Sequence, residues 1–171
     1  SDTGLIANVF GDFDINQLKG NIGIGHTRYS TTGTDSKQNA QPLQVFGTNG
    51  EIALGHNGNI VNSEELKEQF LNQYDIDYKT TSDSEVIAHM YANAIGKDWF
   101  EKSNYCMRYT KGAYSLLIMT KNEMIAVRDP LGIRPLCLGK KDDSWVISSE
   151  SSALSHIGAD FIREIDNGET I

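Results

Sequence analysis

Gly55-His56-Asn57-Gly58-Asn59-Ile60 is the stretch from which the fold of this 171-residue chain can be worked out. A short apolar run, Ile52–Leu54, comes just before it. Asn62 and Glu65 come just after it, with the spacing of a capping box at a helix N-terminus. The pattern predicts a strand that stops at His56-Asn57-Gly58 and is followed within a few residues by a helix.

Asn57 and Gly58 bring two different hydrogen-bond donors to this predicted strand end. Asn57 offers a side-chain amide, and Gly58 lets a backbone N–H approach a ligand closely because no Cβ stands in the way. Two neutral donors at one place can stabilise the oxyanion of a tetrahedral intermediate in acyl transfer. The alternative is a plain turn, since Asn-Gly is a common hairpin dipeptide.

Composition limits the class of protein. With 171 residues, 39% of them hydrophobic, the chain can bury one sizeable core and is too short for two domains. A net charge of -8 and a pI near 4.9, without a run of Lys or Arg, argue against nucleic acid or an anionic membrane as partner. A small-molecule ligand fits this composition better.

Apolar runs and cysteines suggest a soluble cytoplasmic protein. The longest mostly apolar run, Ala113 to Met119, is far shorter than the roughly 20 residues of a membrane span, and the N-terminal residues lack a signal-peptide core. Cys106 and Cys137 lie far apart, with no Cys-x-x-Cys pattern. Neither a disulfide framework nor a zinc site is indicated.

The remaining pattern predicts strands, then helices, then strands. Upstream we expect strand-like segments at 5–10 and 21–27, a polar surface loop from Thr32 to Gln41, and a hairpin about Thr48-Asn49-Gly50. Three helices should follow, the second opening at Ser82 and the third at Asp98. Short apolar segments then indicate an antiparallel sheet, so the fold class is α+β; they lie at 113–120, 124–128, 135–138, 145–149 and 161–165.

Two charged residues could complete a ligand pocket. Arg28 follows a predicted strand and could hold a carboxylate, although a single Arg is more often simply exposed. Asp83 could take an ammonium group, although a carboxylate in the first turn of a helix is also favoured by the helix dipole. With the Asn57 and Gly58 donors, they describe a pocket for a free α-amino acid that carries a reactive side-chain carbonyl.

The histidines are expected to support this pocket or to pack in the core. His26 and His56 precede the candidate residues and are interpreted as supports rather than as catalytic bases. His89 lies on a helix with apolar spacing, which favours packing.

Five motifs resemble those of class II glutamine amidotransferases, which have the N-terminal-nucleophile hydrolase fold, a four-layer αββα sandwich. The last motif points to the glutaminase domain of the amidophosphoribosyltransferases, and the resemblance covers nearly all of residues 1–171, interpreted as one partial glutaminase domain. The motifs are Gly25-His26-Thr27-Arg28-Tyr29-Ser30-Thr31, Ala40-Gln41-Pro42, His56-Asn57-Gly58-Asn59, Thr81-Ser82-Asp83-Ser84-Glu85 and Arg128-Asp129-Pro130-Leu131-Gly132-Ile133-Arg134-Pro135-Leu136.

The resemblance implies a role for each matching residue. Arg28 would hold the α-carboxylate of glutamine and Asp83 its α-ammonium group. Asn57 and Gly58 would take the oxyanion, while Tyr29 and Thr31 would line the pocket.

One family feature has no counterpart here. Processed members begin with a Cys whose thiolate attacks the glutamine amide, and the motifs place Ser1 well downstream of that position. Cys106 and Cys137 are not N-terminal and lack the adjacent amine that would activate them. We therefore expect an N-terminally truncated, inactive fragment that lacks its nucleophile and the phosphoribosyltransferase domain.

The resemblance also implies partners and cofactors. Glutamine would be the ligand, a phosphoribosyltransferase domain of the same parent chain the partner, and a homo-oligomer the assembly, with no cofactor in these residues. The parent would use Mg²⁺ for phosphoribosyl transfer, and an iron–sulfur cluster is left open. Two alternatives stay open: the glutaminase domain of a sibling enzyme that makes glucosamine phosphate or asparagine, or a non-enzymatic glutamine-binding domain.

Overall fold

The computed structural model describes residues 6–10, 17–28 and 37–171. Its helices are α1 (Ile6–Val9), α2 (Ser63–Leu66, continued by a π-helical turn over Lys67–Leu71), α3 (Asp83–Ala92), α4 (Trp99–Tyr109) and α5 (Ser151–His156), with a 3₁₀ turn at Lys37–Asn39. Its strands are β1 (Leu43–Gly47), β2 (Gly50–Ile60), β3 (Gly112–Met119), β4 (Met124–Arg128), β5 (Cys137–Lys141), β6 (Ser144–Ser148) and β7 (Asp160–Glu164).

The strands form two antiparallel sheets. The first has the order β1-β2-β3-β4, and the second has the order β6-β5-β7. The predicted hairpin is confirmed: Gly47 pairs with Gly50, and Gly50, which follows Thr48-Asn49, has a positive φ of 87°, as in hairpins where a glycine in the left-handed region follows the turn. The Asn49 amide donates to the carbonyls of Tyr91 and Ala94, which fixes the hairpin against the end of α3.

Three separate core clusters show how the layers stack. In the first, α2, α3 and α4 pack on one face of the first sheet, where Leu116 and Ile118 of β3 point. In the second, Leu117 of the same strand points the other way and meets Leu138 and Ile147 of the second sheet. This alternation follows from the two-residue period of a strand.

The third cluster covers the outer face of the second sheet. Leu154 of α5 packs there against Cys137 and Val146. Helices, sheet, sheet and helix therefore follow one another, which is the αββα sandwich expected from the resemblance. The α+β fold class is confirmed.

Local predictions upstream of residue 37 were less successful. Residues 6–9 are helical rather than strand-like, and residues 22–28 belong to no strand or helix. Isoleucines alternate with glycines over residues 22–25, yet within the described part of the chain no neighbouring strand pairs with this segment. Tyr29 and Thr31 lie outside the described residues.

The predicted helix starts are at the right places, but the capping differs at one of them. Ser82 accepts from the Ser84 N–H and Asp98 from the Glu101 N–H, as N-caps do. Asn62 makes no such cap. Its side chain instead donates to the Tyr109 carbonyl and accepts from the Lys111 N–H, joining the start of α2 to the end of α4.

Candidate functional site

The candidate site lies on the edge of β2 that its neighbour β1 leaves uncovered. β1 pairs with β2 only as far as Leu54, while β3 accompanies β2 to Ile60. The prediction that the strand stops at His56-Asn57-Gly58 is therefore wrong, because those residues form its second half. On this edge the main-chain groups of His56 and Ile60 meet side chains rather than another strand.

Three side chains occupy this edge. The His56 N–H donates to Gln41 Oε1 at 2.6 Å, and the His56 carbonyl accepts from His26 Nε2 at 2.9 Å. The Ile60 N–H donates to Asp83 Oδ2 at 2.7 Å. The edge is thus tied down at both ends, at His56 and at Ile60.

Gly58 lies between these two fixed points. In an antiparallel ladder the N–H groups of residues two apart point to the same edge, so the Gly58 N–H points outward like those of His56 and Ile60. Its φ is +154°, and a Cβ added there would lie 2.0 Å from the Ala113 carbonyl oxygen. Glycine is required, and it presents a main-chain donor in the middle of the open edge.

The alternative of a hairpin turn at Asn57-Gly58 is contradicted by this register. Asn57 pairs with Ser115, and Gly58 pairs with Tyr114. The Asn57-Gly58 dipeptide was a misleading turn signal, because the strand residues that pair with it lie more than 50 residues further along the chain. Both residues therefore remain candidates for an oxyanion site.

Asn57 presents its side chain on the face of β2 that is turned towards the second sheet. Its Nδ2 donates to the Ser149 hydroxyl at 3.4 Å, just beyond the end of β6. The amide is half-buried and lies next to the Gly58 main chain. Ser149 belongs to a serine-rich stretch that the sequence did not connect with the site, since 92 residues separate the two partners.

Asp83 is the first residue of α3. Its Oδ2 accepts from Ile60, and among the described residues no hydrogen bond engages Oδ1. The carboxylate therefore stands two strand positions from Gly58, with one oxygen directed to the protein and the other available to a ligand. The helix dipole favours its charge as well, and the contact with an ammonium group stays a prediction.

Arg28 lies two residues beyond His26, whose ring is bonded to β2. Burial is the main reason that the pKa of His26 is lowered, and the positive charge of Arg28 lowers it further. Arg28 is half-buried and close enough to the site to act electrostatically. The contact that a carboxylate would make with its guanidinium stays a prediction.

His26, His56 and His89 are predominantly uncharged at neutral pH. Burial lowers the pKa of His56 to about 4, against the opposing effect of the Asp83 charge. Burial also lowers the pKa of His89, which packs edge-on against the Tyr78 ring. The supporting role expected of His26 and His56 stays a prediction.

Gln41 was missed as a site residue. The sequence placed it at the end of a polar surface loop, yet its side chain is buried and bonded to both β2 and α3. The signal available was its position next to a proline just before a strand, and this does not reveal partners 15 and 43 residues away.

The Arg128-Asp129 motif builds the loop behind Asn57. The buried Asp129 carboxylate accepts from the N–H groups of Leu131, Ile133, Arg134 and Tyr114. The Arg128 guanidinium donates to the carbonyls of Gly132, Arg134 and Ile165. The loop is then held on Ser115, the β3 partner of Asn57, whose hydroxyl donates to the Arg134 and Pro135 carbonyls.

The two thiols are unsuited to nucleophilic attack. Cys106 and Cys137 are both buried and free. Burial raises the pKa of each thiol above its ordinary value. Because the thiolate is the reactive form, neither cysteine is the nucleophile of this site.

Within residues 6–10, 17–28 and 37–171, His, Cys, Asp and Glu side chains form no group of three or more that could hold a metal ion. Among the helices of those ranges, none is long and apolar enough to cross a membrane.

Residues 26–156 match the family model described as "Glutamine amidotransferase domain". The chain is 43% identical over 175 residues to an amidophosphoribosyltransferase of Synechocystis sp., a match that covers 99% of this chain and 35% of that protein. Residues 26–156 contain β2, α3 and the site residues described above.

Two solved structures are similar in fold as well as in sequence. One, described as the allosteric regulatory enzyme of purine biosynthesis, is 42% identical with a TM-score of 0.87, over 98% of this chain and 36% of that one. The other is glutamine phosphoribosylpyrophosphate amidotransferase from B. subtilis complexed with ADP and GMP, 41% identical with a TM-score of 0.73, over 85% of this chain and 31% of that one. The chain spans about a third of the length of these relatives.

Proposed function

This chain belongs to the glutamine amidotransferase domain family, and we propose that it is the glutamine-hydrolysing part of a longer amidophosphoribosyltransferase, with residues 1–171 forming part of that domain. The observation that carries the proposal is the open edge of β2. There the Gly58 N–H and the Asp83 carboxylate stand two strand positions apart, beside the Asn57 amide. The Gly58 N–H and the Asn57 amide suit the oxyanion that forms at the side-chain amide of glutamine. The Asp83 carboxylate suits the α-ammonium group at the other end of the molecule.

In this proposal glutamine binds through its unreactive end. Asp83 Oδ1 takes the α-ammonium group, and Arg28 takes the α-carboxylate in a charge-assisted pair. Tyr29 and Thr31 line the remaining wall. These contacts are the same before and during the reaction, so they govern capture of the substrate rather than its conversion.

The reaction then takes place at the side-chain amide. A thiolate adds to the carbonyl carbon, and the carbonyl oxygen becomes an anion that the Asn57 amide and the Gly58 N–H stabilise. The C–N bond breaks, the nitrogen leaves as ammonia after protonation, and water hydrolyses the thioester to glutamate. Since Cys106 and Cys137 are buried, we propose that the attacking thiol comes from outside these 171 residues.

The fate of the ammonia follows from the relatives. Those reported above are amidophosphoribosyltransferases, which supports phosphoribosylamine as the product and argues against the sibling enzymes for glucosamine phosphate or asparagine. The proposal includes a phosphoribosyltransferase part that uses Mg²⁺ and receives the ammonia, a cytoplasmic location and assembly into a homo-oligomer. It assigns no cofactor to the glutaminase part and leaves the iron–sulfur cluster open.

Calorimetric titration of L-glutamine into this chain tests the binding step. We expect saturable binding, because the α-ammonium and α-carboxylate groups of L-glutamine meet Asp83 and Arg28. Arg28→Ala should weaken the affinity for L-glutamine at least about tenfold, as expected for the loss of one charged contact. Arg108→Ala, a change of the same kind on the exposed side of α4, should leave it intact. Equal affinity in the wild type and in Arg28→Ala would contradict the carboxylate role.

A further inference from the structure

We propose that Gln41 is a positioning residue for the amide-hydrolysis step, one that holds the oxyanion half of the site in place. This inference rests on the proposed function. Among the described residues, Gln41 makes no hydrogen bond to a group assigned to glutamine, and it acts through His56, the residue before Asn57.

The side chain of Gln41 uses both ends of its amide. Its Oε1 accepts from the His56 N–H at 2.6 Å, and its Nε2 donates to the Ser84 hydroxyl at 3.1 Å. Ser84 Oγ lies 2.9 Å from His56 Nδ1. Gln41, Ser84 and His56 therefore form a closed triangle between the edge of β2 and the first turn of α3.

Ser84 Oγ accepts from Gln41 Nε2 and lies within hydrogen-bond distance of His56 Nδ1. A hydroxyl oxygen can accept a second hydrogen bond or donate its own hydrogen, so either tautomer of the neutral His56 ring closes the triangle. The second ring nitrogen, Nε2, is buried and has no hydrogen-bond partner among the described residues.

Burial makes the triangle effective. Gln41, His56 and Ser84 are each less than a tenth exposed, so water cannot readily replace a lost partner. On the same edge of the strand, His26 holds the His56 carbonyl. The main chain entering Asn57 and Gly58 is thus fixed by side chains, at the place where a neighbouring strand would otherwise fix it.

Asp83 does not depend on Gln41 in the same way. Its carboxylate is anchored directly by the Ile60 N–H at the far end of the open edge. Loss of Gln41 should therefore disturb the oxyanion donors more than the ammonium site. This difference separates a positioning role from a general loss of stability.

Steady-state kinetics of the full-length protein provide the first test. Gln41→Leu should lower kcat for glutamine hydrolysis about tenfold, less than the 10² to 10³ lost when an oxyanion donor is removed outright, and should change KM less than about threefold. Gln44→Leu, the same substitution on an exposed residue of β1, should change neither. An unchanged kcat, or a rise in KM alone, would overturn the proposal.

Amide hydrogen exchange followed by mass spectrometry provides the second test, and it does not depend on activity. Gln41→Leu should speed exchange in the peptide covering residues 55–60, and should leave the peptide covering β3 as protected as in the wild type. If Gln41→Leu does not fold, Ser84→Ala breaks the triangle at one corner and should change kcat and exchange in the same direction. Unchanged exchange at 55–60 in a folded variant would reject the positioning role.

The two proposals fail in different ways. A full-length wild-type protein that does not hydrolyse glutamine would refute the proposed function, while faster exchange at 55–60 in Gln41→Leu would still confirm that Gln41 holds the β2 edge. Hydrolysis by the wild type with no effect of Gln41→Leu would refute the positioning role alone.

Discussion

The Asp83 carboxylate and the Ile60 N–H are joined by a 2.7 Å hydrogen bond that links the first residue of α3 to the last residue of β2. A charged helix start is thereby fixed to the open edge of a sheet. One oxygen of the carboxylate has a structural partner, and the other is left for a ligand, so the two roles of Asp83 can be separated by substitution.

Asp83→Asn should affect substrate capture alone. The amide retains an oxygen for Ile60 and loses the charge that an ammonium group requires. We expect KM for glutamine to rise at least about tenfold, with kcat within about twofold of the wild type. Ammonia-dependent synthesis by the full-length protein should be unchanged because ammonia bypasses this pocket. Asp75→Asn, on an exposed residue, is the control, and a fall in kcat alone would contradict the assignment.

Asn57→Ala should affect the chemical step. Asn57 donates to an oxygen that becomes negative only as the tetrahedral intermediate forms, and loss of such a donor costs about 10² to 10³ in kcat. The matched control is Asn59→Ala, an exposed residue two positions along the same strand. Glutamine-dependent and ammonia-dependent assays of the full-length protein measure both effects. A rise in KM without a fall in kcat would show that Asn57 binds the substrate and does not stabilise the oxyanion.

Asp129→Ala should destabilise the fold. The change leaves the buried N–H of Tyr114 and the partly buried N–H groups of the 131–134 loop without an acceptor, and we expect a loss of about 3 kcal/mol in the free energy of unfolding. Asp143→Ala, on the exposed β5–β6 turn, should stay within about 0.5 kcal/mol of the wild type. Urea denaturation measures both. Equal midpoints for the two variants would show that the carboxylate does not hold this loop.

Stability should fall as the pH drops from about 6.5 towards 4. The folded-state pKa of His56 is about 4, and burial lowers those of His26 and His89 too. In this window the unfolded chain binds protons that the folded chain does not, so protonation favours unfolding. His56 alone contributes up to about 3 kcal/mol, at 1.36 kcal/mol per pKa unit.

Urea denaturation across this pH range, with NMR titration of the ring signals, measures the effect. His156→Gln provides the comparison, because His156 is exposed and the variant should keep the full pH dependence. A folded protein whose His56 ring titrates at its ordinary value would contradict the prediction.

The sequence was most informative where a signal is local. Ser82 and Asp98 mark helix starts by caps that need only the next few residues, and the turn at Gly50 needs only a positive φ. These features follow from backbone sterics and from nearby hydrogen bonds, which a sequence pattern records directly.

Distant contacts account for what the sequence did not predict. Asn57-Gly58 has the signature of a turn, yet its pairing with β3 keeps it in a strand. Gln41 lies in polar surroundings along the sequence, and only the folded chain brings it to His56 and Ser84. The candidate site residues were chosen by their chemistry and by the resemblance, and their roles stay predictions. The contacts that Gln41 and Ser149 make with them could be found only in three dimensions.

β2 is eleven residues long and its neighbour β1 is five, and this mismatch has a genetic consequence. The difference in strand length exposes the Gly58 N–H, which belongs to the main chain. Among amino-acid substitutions, only one to proline removes a main-chain N–H. Random mutagenesis should therefore rarely remove this donor directly. Inactivating substitutions should instead gather at positions that dictate the path of the strand, including residues far from it in the gene.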